Sequence, residues 1–520
     1  MSIVSRRSRI WPVLAVTMAA TVAAACTGKP TPPASGDLAG TSLVIAVAEE
    51  PVTMNPLAGY AEHGAAKIFD GLVEHRANGS LRPVLTTELP EPAPDGMSWT
   101  AKLRANVTFA DGTSFDAADV VATYRAILDP RYASPLRQRF PMLSGMRQVD
   151  SATVRFELSR PYAPFLELLV LGILPSEALA TPAPVTNTPD PPAGTGPYRL
   201  TEWQHGQRLV LEANKSYFDG VAAITKVTVE FRATDDDRAA RLREGKLDGA
   251  ALPPALARTF ESATGFRVVA HTASDPHAIL MPPSDPVTAD PALRTALNYG
   301  INRKALVDGP LAGKGSEAST PMPDVLAEFV EPAATYPYDV TRALDRLSAG
   351  GWLPGADGMR MRNGQPAAFT LLYHGGDTLA RDLATAFAAA ARGIGVAVTP
   401  RAVDTPGLLA RSAKDAMLVD FGDPFDPDLR LYDLLHSGAN PTIDAALESG
   451  RTATDPAQRA IAYRKLQRAY LDAPSMIVLV APDHTYIMRD NWNGYEPVVD
   501  ADSTDFTWGA WWNLNKWTPR

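Results

Sequence analysis

Cysteine is nearly absent from this sequence, since Cys26 is the only one among 520 residues. A single cysteine cannot form an internal disulfide. With only 8 histidines scattered along the chain, there are also few ligands for a structural zinc site. The sequence therefore predicts neither a disulfide framework nor a bound metal.

Basic residues are scarce relative to acidic ones. The chain carries 49 Lys and Arg against 58 Asp and Glu, which gives a formal net charge of −9. Nucleic-acid binding needs clustered basic side chains that neutralise phosphates, so this balance argues against a nucleic-acid partner. The chain beyond its N-terminal region has no apolar run of about 18 residues, the length that predicts a transmembrane helix.

The motifs of common enzymes are missing as well. Gly313-Lys314 is followed by glycine, where a phosphate-binding Walker A loop needs Ser or Thr, and neither a GxSxG elbow nor an HExxH helix occurs. Asp423, Asp426 and Asp428 do not have the spacing of a calcium-binding EF-hand loop. We therefore expect no catalytic residues, no metal and no cofactor, which favours a binding protein over an enzyme.

The N-terminal region has the composition of an export and anchoring segment. An arginine cluster at 6–9 precedes an apolar run at 10–25, and Cys26 follows directly. This order predicts a signal peptide at 1–25, and it resembles a bacterial lipobox, which implies lipidation of Cys26. The alternative is an ordinary secretory signal with an incidental cysteine. Residues 26–41 are rich in Pro, Gly, Ser and Thr, which predicts a flexible tether behind the lipidated cysteine.

Strand and helix signals alternate through the rest of the chain, which predicts an α/β fold. In the first half, residues 99–103 and 107–109 alternate between apolar and polar side chains, and we expect them to pair as strands. Asp116 is a favourable N-cap residue, and the apolar side chains that follow it recur at helical spacing. We therefore predict a helix from Asp116 through Leu128.

The clearest βαβ pattern lies in the second half. Strands are predicted at 369–373, 396–399 and 416–419, with a helix that begins at Asp377. Two right-handed crossovers would place these strands in one parallel sheet. Ligands of open α/β sheets lie beyond the carboxyl ends of the strands. The segment 420–428, which combines carboxylates, aromatics and turn formers, is therefore the best local candidate for ligand contact.

Several motifs occur in an order that is typical of one family. Residues 99–121 combine the stretches WTAKLR, VTFADGT and FDAADVV, a GTGPY turn follows at 194–198, and LREGKLD and LRTALNYGINR stand at 242–248 and 293–303. The chain thereby resembles the bacterial extracellular solute-binding proteins of the dipeptide- and oligopeptide-binding type. The resemblance covers about residues 42–515 and is carried by the order of the motifs rather than by any one of them.

This resemblance implies a two-lobed periplasmic-binding-protein clamp of type II, class C-like. Lobe I would comprise residues 42–58, 190–275 and 485–520, with an extra subdomain inserted at 59–189. Lobe II would comprise residues 276–484, so that the chain crosses between the lobes twice. Closure of such a clamp buries the ligand between the lobes.

The resemblance also implies a set of ligand-binding residues. In peptide-binding members an acidic residue after a lobe II strand pairs with the ammonium group of the peptide. Asp423 takes that place here, although only one residue separates it from the aromatic Phe421, where the family has two. The alternative is that the aspartates of this segment only cap turns. The further residues expected at the ligand are Asp420, Glu50, Asn55, Tyr60, His63 and Met281.

Three functions remain open from the sequence. The first is a monomeric, lipid-anchored receptor at the outer face of the cytoplasmic membrane, which passes short peptides to the permease subunits of an ABC importer. The same receptor could instead carry a glycan, a metal chelate or haem. The second is a regulatory or scaffold lipoprotein that keeps the clamp fold but has a cleft filled by its own side chains. The third, a secreted hydrolase, lacks a recognisable catalytic constellation.

Overall fold

The computed structural model describes residues 42–185, 193–411, 414–501 and 506–520. The predicted signal peptide at 1–25, Cys26 and the tether through residue 41 lie outside the described residues. None of the helices in the described ranges is both long and apolar enough to cross a bilayer.

The first of two large sheets has seven strands. The strand Ser42–Val47 lies at its centre and runs parallel to both of its neighbours, Lys226–Phe231 and Gly249–Ala251. The remaining pairs are antiparallel. The spatial order of the strands is Phe266–His271, His484–Arg489, Gly249–Ala251, Ser42–Val47, Lys226–Phe231, Arg208–Ala213, Tyr198–Gln204.

The second sheet contains the predicted βαβ unit. The strand Ala368–His374 runs parallel to both Ala397–Val403 and Ala416–Asp420, which confirms the parallel arrangement expected from the sequence. Asp377 accepts a hydrogen bond from the amide of Ala380 and caps the helix Thr378–Gly393, as predicted. The six strands follow the order Gly315–Glu317, Met476–Pro482, His277–Leu280, Ala416–Asp420, Ala368–His374, Ala397–Val403.

A four-stranded antiparallel sheet and one long helix form within the segment 59–189. The helix is Ala117–Leu128, and it confirms the predicted cap: the Asp116 carboxylate accepts from the amide of Ala118, and Asp119 accepts from the amide of Asp116. This reciprocal arrangement satisfies amides that have no partner within the helix. The strands of the sheet are Glu91–Pro92, Ser98–Lys102, Thr153–Leu158 and Leu143–Asp150.

The predicted pairing of residues 99–103 with residues 107–109 is wrong. The strand Ser98–Lys102 pairs instead with Glu91–Pro92 and Thr153–Leu158. Residues 107–109 turn back on residues 113–115, where the amide of Phe115 donates to the carbonyl of Val107 at 3.0 Å. The Asp111-Gly112 turn explains this outcome, because it closes a local hairpin that uses the backbone groups required for the longer pairing.

The other helices pack mainly on the faces of the two large sheets. Asp455 caps the helix Pro456–Asp472, which has proline at its first position. The remaining helices are Asp235–Arg243, Pro254–Ala257, Pro291–Gly300, Arg303–Asp308, Val340–Ala349, Thr405–Arg411, Asp428–Leu435 and Pro441–Thr452. Short strands also pair outside the large sheets: Val73–His75 with Leu81–Pro83, Trp492–Asn493 with Thr518–Pro519, and Arg360–Arg362 with Leu353–Pro354 and Gln365–Pro366.

The chain passes between the two large sheets at two crossings. The first joins Phe266–His271 to His277–Leu280, and the second joins Met476–Pro482 to His484–Arg489. The crossings touch each other, because His484 Nε2 lies 2.9 Å from a carboxylate oxygen of Asp275. The two sheets are therefore connected at neighbouring points, near the lobe boundaries predicted at residues 275 and 485.

Candidate functional site

A cavity of about 440 Å³ lies between the two large sheets. From the first sheet it is lined by residues that follow three strands, and from the second sheet by residues at the ends of Ala368–His374 and Ala416–Asp420. The carboxyl ends of strands are the usual location of ligands in open α/β sheets. The lining includes Ala48, Glu49, Ala233, Asp235, Arg238, Leu252, Pro253, Asp275, His277, His374, Asp377, Leu379, Leu408, Leu418, Asp420, Asp483 and His484.

Carboxylates dominate the polar lining of this interlobe cavity. Six carboxylates, one guanidinium and three imidazoles line it. The carboxylates are those of Glu49, Asp235, Asp275, Asp377, Asp420 and Asp483. Two have basic partners: Arg238 Nη2 lies 2.5 Å from Asp235, and His484 Nε2 lies 2.9 Å from Asp275. The other four form no ion pair with a basic side chain among the described residues, so acidic side chains outnumber basic ones in the cavity lining.

Asp235 also joins the two sides of the cavity. Its second carboxylate oxygen accepts hydrogen bonds from the amide and the hydroxyl of Thr378, at 3.1 and 2.6 Å. Thr378 begins the helix that follows the second sheet's strand Ala368–His374, whereas Asp235 begins the helix Asp235–Arg243 on the first sheet. This contact therefore holds the two lobes together beside the cavity.

The crossings supply further buried polar groups of the cavity. His484 lies between two carboxylates, with Nε2 on Asp275 and Nδ1 3.3 Å from Asp500. Burial alone would lower the pKa of His484, but these two carboxylates raise it well above its ordinary value. Burial raises the pKa of Asp275, neighbouring Asp420 raises it further, and His484 opposes that shift. The two carboxylates thus favour the charged form of His484, whose ring connects both crossings.

Three buried atoms of cavity-lining side chains have no hydrogen-bond partner within the described parts of the chain. One is Nδ1 of His484, which lies 3.3 Å from Asp500, and the other two are Oδ1 of Asp275 and Nδ1 of His277. The side chains of Asp275 and His277 are only 4% and 7% exposed. A buried polar atom without a partner loses the hydrogen bonds it had with water. A ligand that offered donors at this position would restore them.

A second, much smaller cavity of about 20 Å³ surrounds Asp423. The buried carboxylate of Asp423 accepts hydrogen bonds from the amides of Phe425 and Asp426, and it lies 3.4 Å from His63 Nδ1. Burial by itself would raise the pKa of Asp423, but His63 and the two amides hold it below its ordinary value. Conversely, burial would lower the pKa of His63, and Asp423 together with Glu62 raises it.

Gly422 separates the two cavities. A Cβ atom at this position would lie 1.8 Å from the carbonyl oxygen of Ser274, so only glycine allows the segment to pack directly against the first crossing. Asp420 lies before this contact and lines the larger cavity, whereas Asp423 lies after it and lines the smaller one. The predicted segment 420–428 therefore contributes to both cavities.

The other predicted site residues do not line the larger cavity. Glu50 accepts hydrogen bonds from Trp203 Nε1 and from the amide of Gly206, and so binds the hairpin of the first sheet. Asn55 caps a short 3-10 helix, and the Tyr60 hydroxyl donates to the carbonyl of Ala66. Phe421 is partly buried against apolar residues of the second lobe, and Met281 is 5% exposed in the core behind the second sheet.

Several cavity residues were not predicted as ligand-binding from the sequence. Asp377 was recognised only as a helix cap, whereas Glu49 begins the loop after the first strand, which is expected from the sequence to approach the cleft. Asp275, His277 and His484 carry no local signal, because the crossings bring them together from distant parts of the chain. The carboxyl ends of the predicted strands were the one signal available, and they point to His374 and Asp420.

Comparison with known proteins gives a consistent result. The family model described as bacterial extracellular solute-binding proteins, family 5, middle region, matches residues 80–442. The chain is also similar to Protein XP55 of Streptomyces lividans, with 39% identity over 508 residues that cover 94% of this chain and 93% of the relative.

Solved structures share the fold. NikZ from Campylobacter jejuni in complex with Ni(L-His) superposes with a TM-score of 0.85 at 24% identity, covering 92% of this chain and 99% of that one. The oligopeptide-binding protein AppA from Bacillus subtilis in complex with a nonapeptide gives a TM-score of 0.81 at 22% identity, covering 92% and 99%. At these identities the likeness supports the two-lobed clamp fold alone.

Proposed function

Because this chain belongs to the bacterial extracellular solute-binding proteins of family 5, which are binding proteins of ABC importers and not enzymes, we propose that it captures a short peptide between its lobes and delivers it to permease subunits. The observation that carries this proposal is the interlobe cavity of about 440 Å³. Small-molecule sites usually measure ~300–1,000 Å³, and this volume suits a dipeptide or tripeptide.

Asp420 is the proposed partner of the peptide's ammonium group, with Asp423 as the alternative. Asp420 is exposed to the larger cavity, and its carboxylate accepts no hydrogen bond from the described residues. Asp423 already contacts His63 and accepts from two amides, so an ammonium group would first have to displace the imidazole. A free carboxylate at the cavity surface suits an ammonium group through charge-assisted hydrogen bonds.

Isothermal titration with a tripeptide library tests this proposal. Each peptide is compared with its N-acetylated form, in the wild type and in Asp420→Asn and Asp423→Asn. We expect Asp420→Asn to weaken the free-amine peptides by about tenfold or more, because a hydrogen bond to a charged group contributes ~1.5–3 kcal/mol. The same loss in Asp423→Asn alone would assign the ammonium group to Asp423. If the folded wild type binds no peptide, the peptide proposal fails.

A metal chelate is the second candidate ligand. Two imidazoles, those of His277 and His374, line the cavity, and the structural relative NikZ was solved with Ni(L-His). Within the described ranges no group of three or more His, Cys, Asp or Glu side chains could hold a metal ion, so the metal would arrive with its own chelator. Titration with nickel-histidine tests this candidate, and binding of the chelate without binding of any peptide would replace the peptide proposal.

Other ligands and roles receive less support from the cavity. The propionates of haem are anionic, and an acidic lining would repel them. A regulatory or scaffold lipoprotein would need no cavity between its lobes. For such a protein we expect a cleft that is filled by its own side chains. The size and polarity of the cavity therefore favour transport.

We also propose that the protein acts as a monomer, exported and held at the membrane through lipidated Cys26. The support is the order of charged, apolar and small residues before this cysteine, followed by the tether that ends at residue 41. Metabolic labelling with a fatty-acid analogue tests the anchor. The wild type should take up the label and sediment with membranes, whereas Cys26→Ala should do neither. Label-free wild-type protein in the medium would contradict lipidation.

A further inference from the structure

The charge of the interlobe cavity exceeds what one ammonium group can neutralise. Arg238 compensates Asp235, and the imidazolium of His484 compensates Asp275. This leaves four carboxylates that line the cavity and form no ion pair with a basic side chain in the described chain: Glu49, Asp377, Asp420 and Asp483.

Two of these carboxylates, those of Asp377 and Asp420, lie close enough to influence each other. Burial raises the pKa of Asp377, and the charges of Asp235 and Asp420 raise it further, although the amide of Ala380 and His277 oppose the shift. Burial also raises the pKa of Asp483, although Lys314 and His484 oppose the shift. Asp377 and Asp483 are half-buried, whereas Glu49 and Asp420 are exposed. Like charges that line one cavity repel each other, and a cation that enters between them reduces that cost. The cavity therefore favours ligands with more than one positive group.

Buried acceptors point to the same ligand chemistry. Oδ1 of Asp275 lacks a hydrogen-bond partner among the described residues, although its side chain is only 4% exposed and lines the cavity. Nδ1 of His277, in a side chain that is 7% exposed, also lacks a partner. Ammonium and guanidinium groups carry only donors, and such donors satisfy the carboxylate oxygen directly. An anionic or purely apolar ligand would leave it without a partner.

We propose that the cavity selects short peptides that carry a lysine or arginine side chain in addition to their free ammonium group. This inference rests on the proposed function and names its substrate class. Asp420 and Asp377 on the second lobe hold one positive group. Glu49, after the central strand of the first sheet, and Asp483, at the second crossing, are the carboxylates that remain for the other.

Titration with three tripeptides of equal length tests the selectivity: Ala-Lys-Ala, Ala-Gln-Ala and Ala-Glu-Ala. We expect the lysine peptide to bind at least about tenfold more tightly than the glutamine peptide, and the glutamate peptide to bind most weakly. The advantage of lysine should shrink as salt is added, because part of it is electrostatic attraction. Equal affinities for the lysine and glutamine peptides would overturn the selectivity but leave peptide capture intact.

Two variants show whether the named carboxylates cause the preference. Glu49→Gln and Asp483→Asn should each lower the ratio of lysine-peptide to glutamine-peptide affinity. Asp345→Asn, on the exposed side of the helix Val340–Ala349, is the matched control and should leave the ratio as in the wild type. An unchanged ratio in both cavity variants would overturn the assignment, and melting temperatures verify that each variant is folded.

A diamine such as cadaverine separates the two proposals. Binding of cadaverine together with the lysine peptide supports recognition of paired positive groups. Binding of cadaverine by a protein that takes no peptide would overturn both peptide capture and the peptide class named here.

Discussion

At the scale of single residues, the contact between His63 and Asp423 leads us to predict how the stability of the protein depends on pH. The pKa of His63 is raised from 6.5, so its contribution to stability is complete below that value and is lost as pH rises through the folded-state pKa. The pKa of Asp423 is lowered from 3.8, so its contribution is present above that value and is lost as pH falls further. The pair therefore stabilises the protein most between these limits.

The substitution His63→Gln measures this contribution. Its melting temperature should fall below that of the wild type at about pH 5.5, and the difference should shrink as the pH rises through the raised folded-state pKa of His63. His205→Gln is the comparison variant: the ring of His205 also contacts a carboxylate, that of Glu50 at 2.8 Å, but it is largely exposed to solvent, so its pH-dependent loss should be smaller. A difference that grows towards alkaline pH would contradict an ion pair between His63 and Asp423.

Among the residues at the crossings, Asp500 is the one whose replacement should lower the stability of the protein most. It is fully buried, it contacts the rings of His271 and His484, and it accepts a hydrogen bond from the hydroxyl of Tyr486. Although burial alone would raise its pKa, the two imidazoles hold the pKa of Asp500 far below its ordinary value. Replacing this carboxylate leaves the positive charge of His484 with only Asp275 as a partner.

We expect Asp500→Asn to lower the free energy of unfolding by about 3–5 kcal/mol, as is usual when one partner of a buried ion pair is removed. Urea unfolding at neutral pH measures the change, and Asp345→Asn serves as the exposed control. A loss that matches the control would mean that the crossing is held together without this carboxylate.

At the scale of elements, the sequence correctly predicted those features that depend only on residues close together in the chain. The caps at Asp116 and Asp377 were correct because an N-cap is recognised within one turn of its helix. The pairing of residues 99–103 was wrong because the choice between two partners depends on which turn closes. The turn at Asp111-Gly112 pairs residues 107–109 with residues 113–115 instead. The sequence alone did not show that this local hairpin is preferred over the longer pairing.

Gly422 offers a prediction about how the segment after the strand Ala416–Asp420 is held. We expect Gly422→Ala to lower the melting temperature and to weaken peptide binding, because the added Cβ would meet the carbonyl oxygen of Ser274 at 1.8 Å. Either the segment or the first crossing must then move. Gly393→Ala is the matched control, since a Cβ there has nothing within 4 Å and the residue ends a helix. If both variants melt alike, the close contact is not stabilising.

At the scale of the whole molecule, the cavity could be predicted only in part. Asp420 was expected near the ligand because it follows a strand of a βαβ unit, and it does line the cavity. Asp275, His277, Asp483 and His484 reach it only because the chain crosses twice between the sheets at neighbouring points. Their meeting depends on the complete topology, for which no local pattern exists, so the acidity of the cavity emerges only from the folded chain.

The polar contacts between the lobes lead us to predict that residues outside the cavity influence the balance between open and closed molecules. Beyond the contacts of Asp235 with Thr378 and of His63 with Asp423, three more polar contacts between described residues join the segment 59–189 to the second lobe: Arg430 with Glu62 at 2.9 Å, Arg160 with Glu448 at 3.0 Å, and the Tyr162 hydroxyl with Asp428 at 2.7 Å. Such contacts exist only while the lobes are together. Removing one should therefore shift the balance towards open molecules, and affinity falls with the closed fraction.

Tyr162→Phe is the mildest test, because it deletes one hydroxyl and leaves Asp428 paired with Arg451. A lost hydrogen bond of ~1 kcal/mol should weaken peptide binding about fivefold, and the radius of gyration of the unliganded variant should rise in small-angle scattering. Tyr132→Phe is the control, since that hydroxyl donates to Leu179 within the segment 59–189. If the two variants lose affinity equally, the hydroxyl acts through local stability. A loss confined to Tyr162→Phe shows that contacts outside the cavity set its affinity through closure.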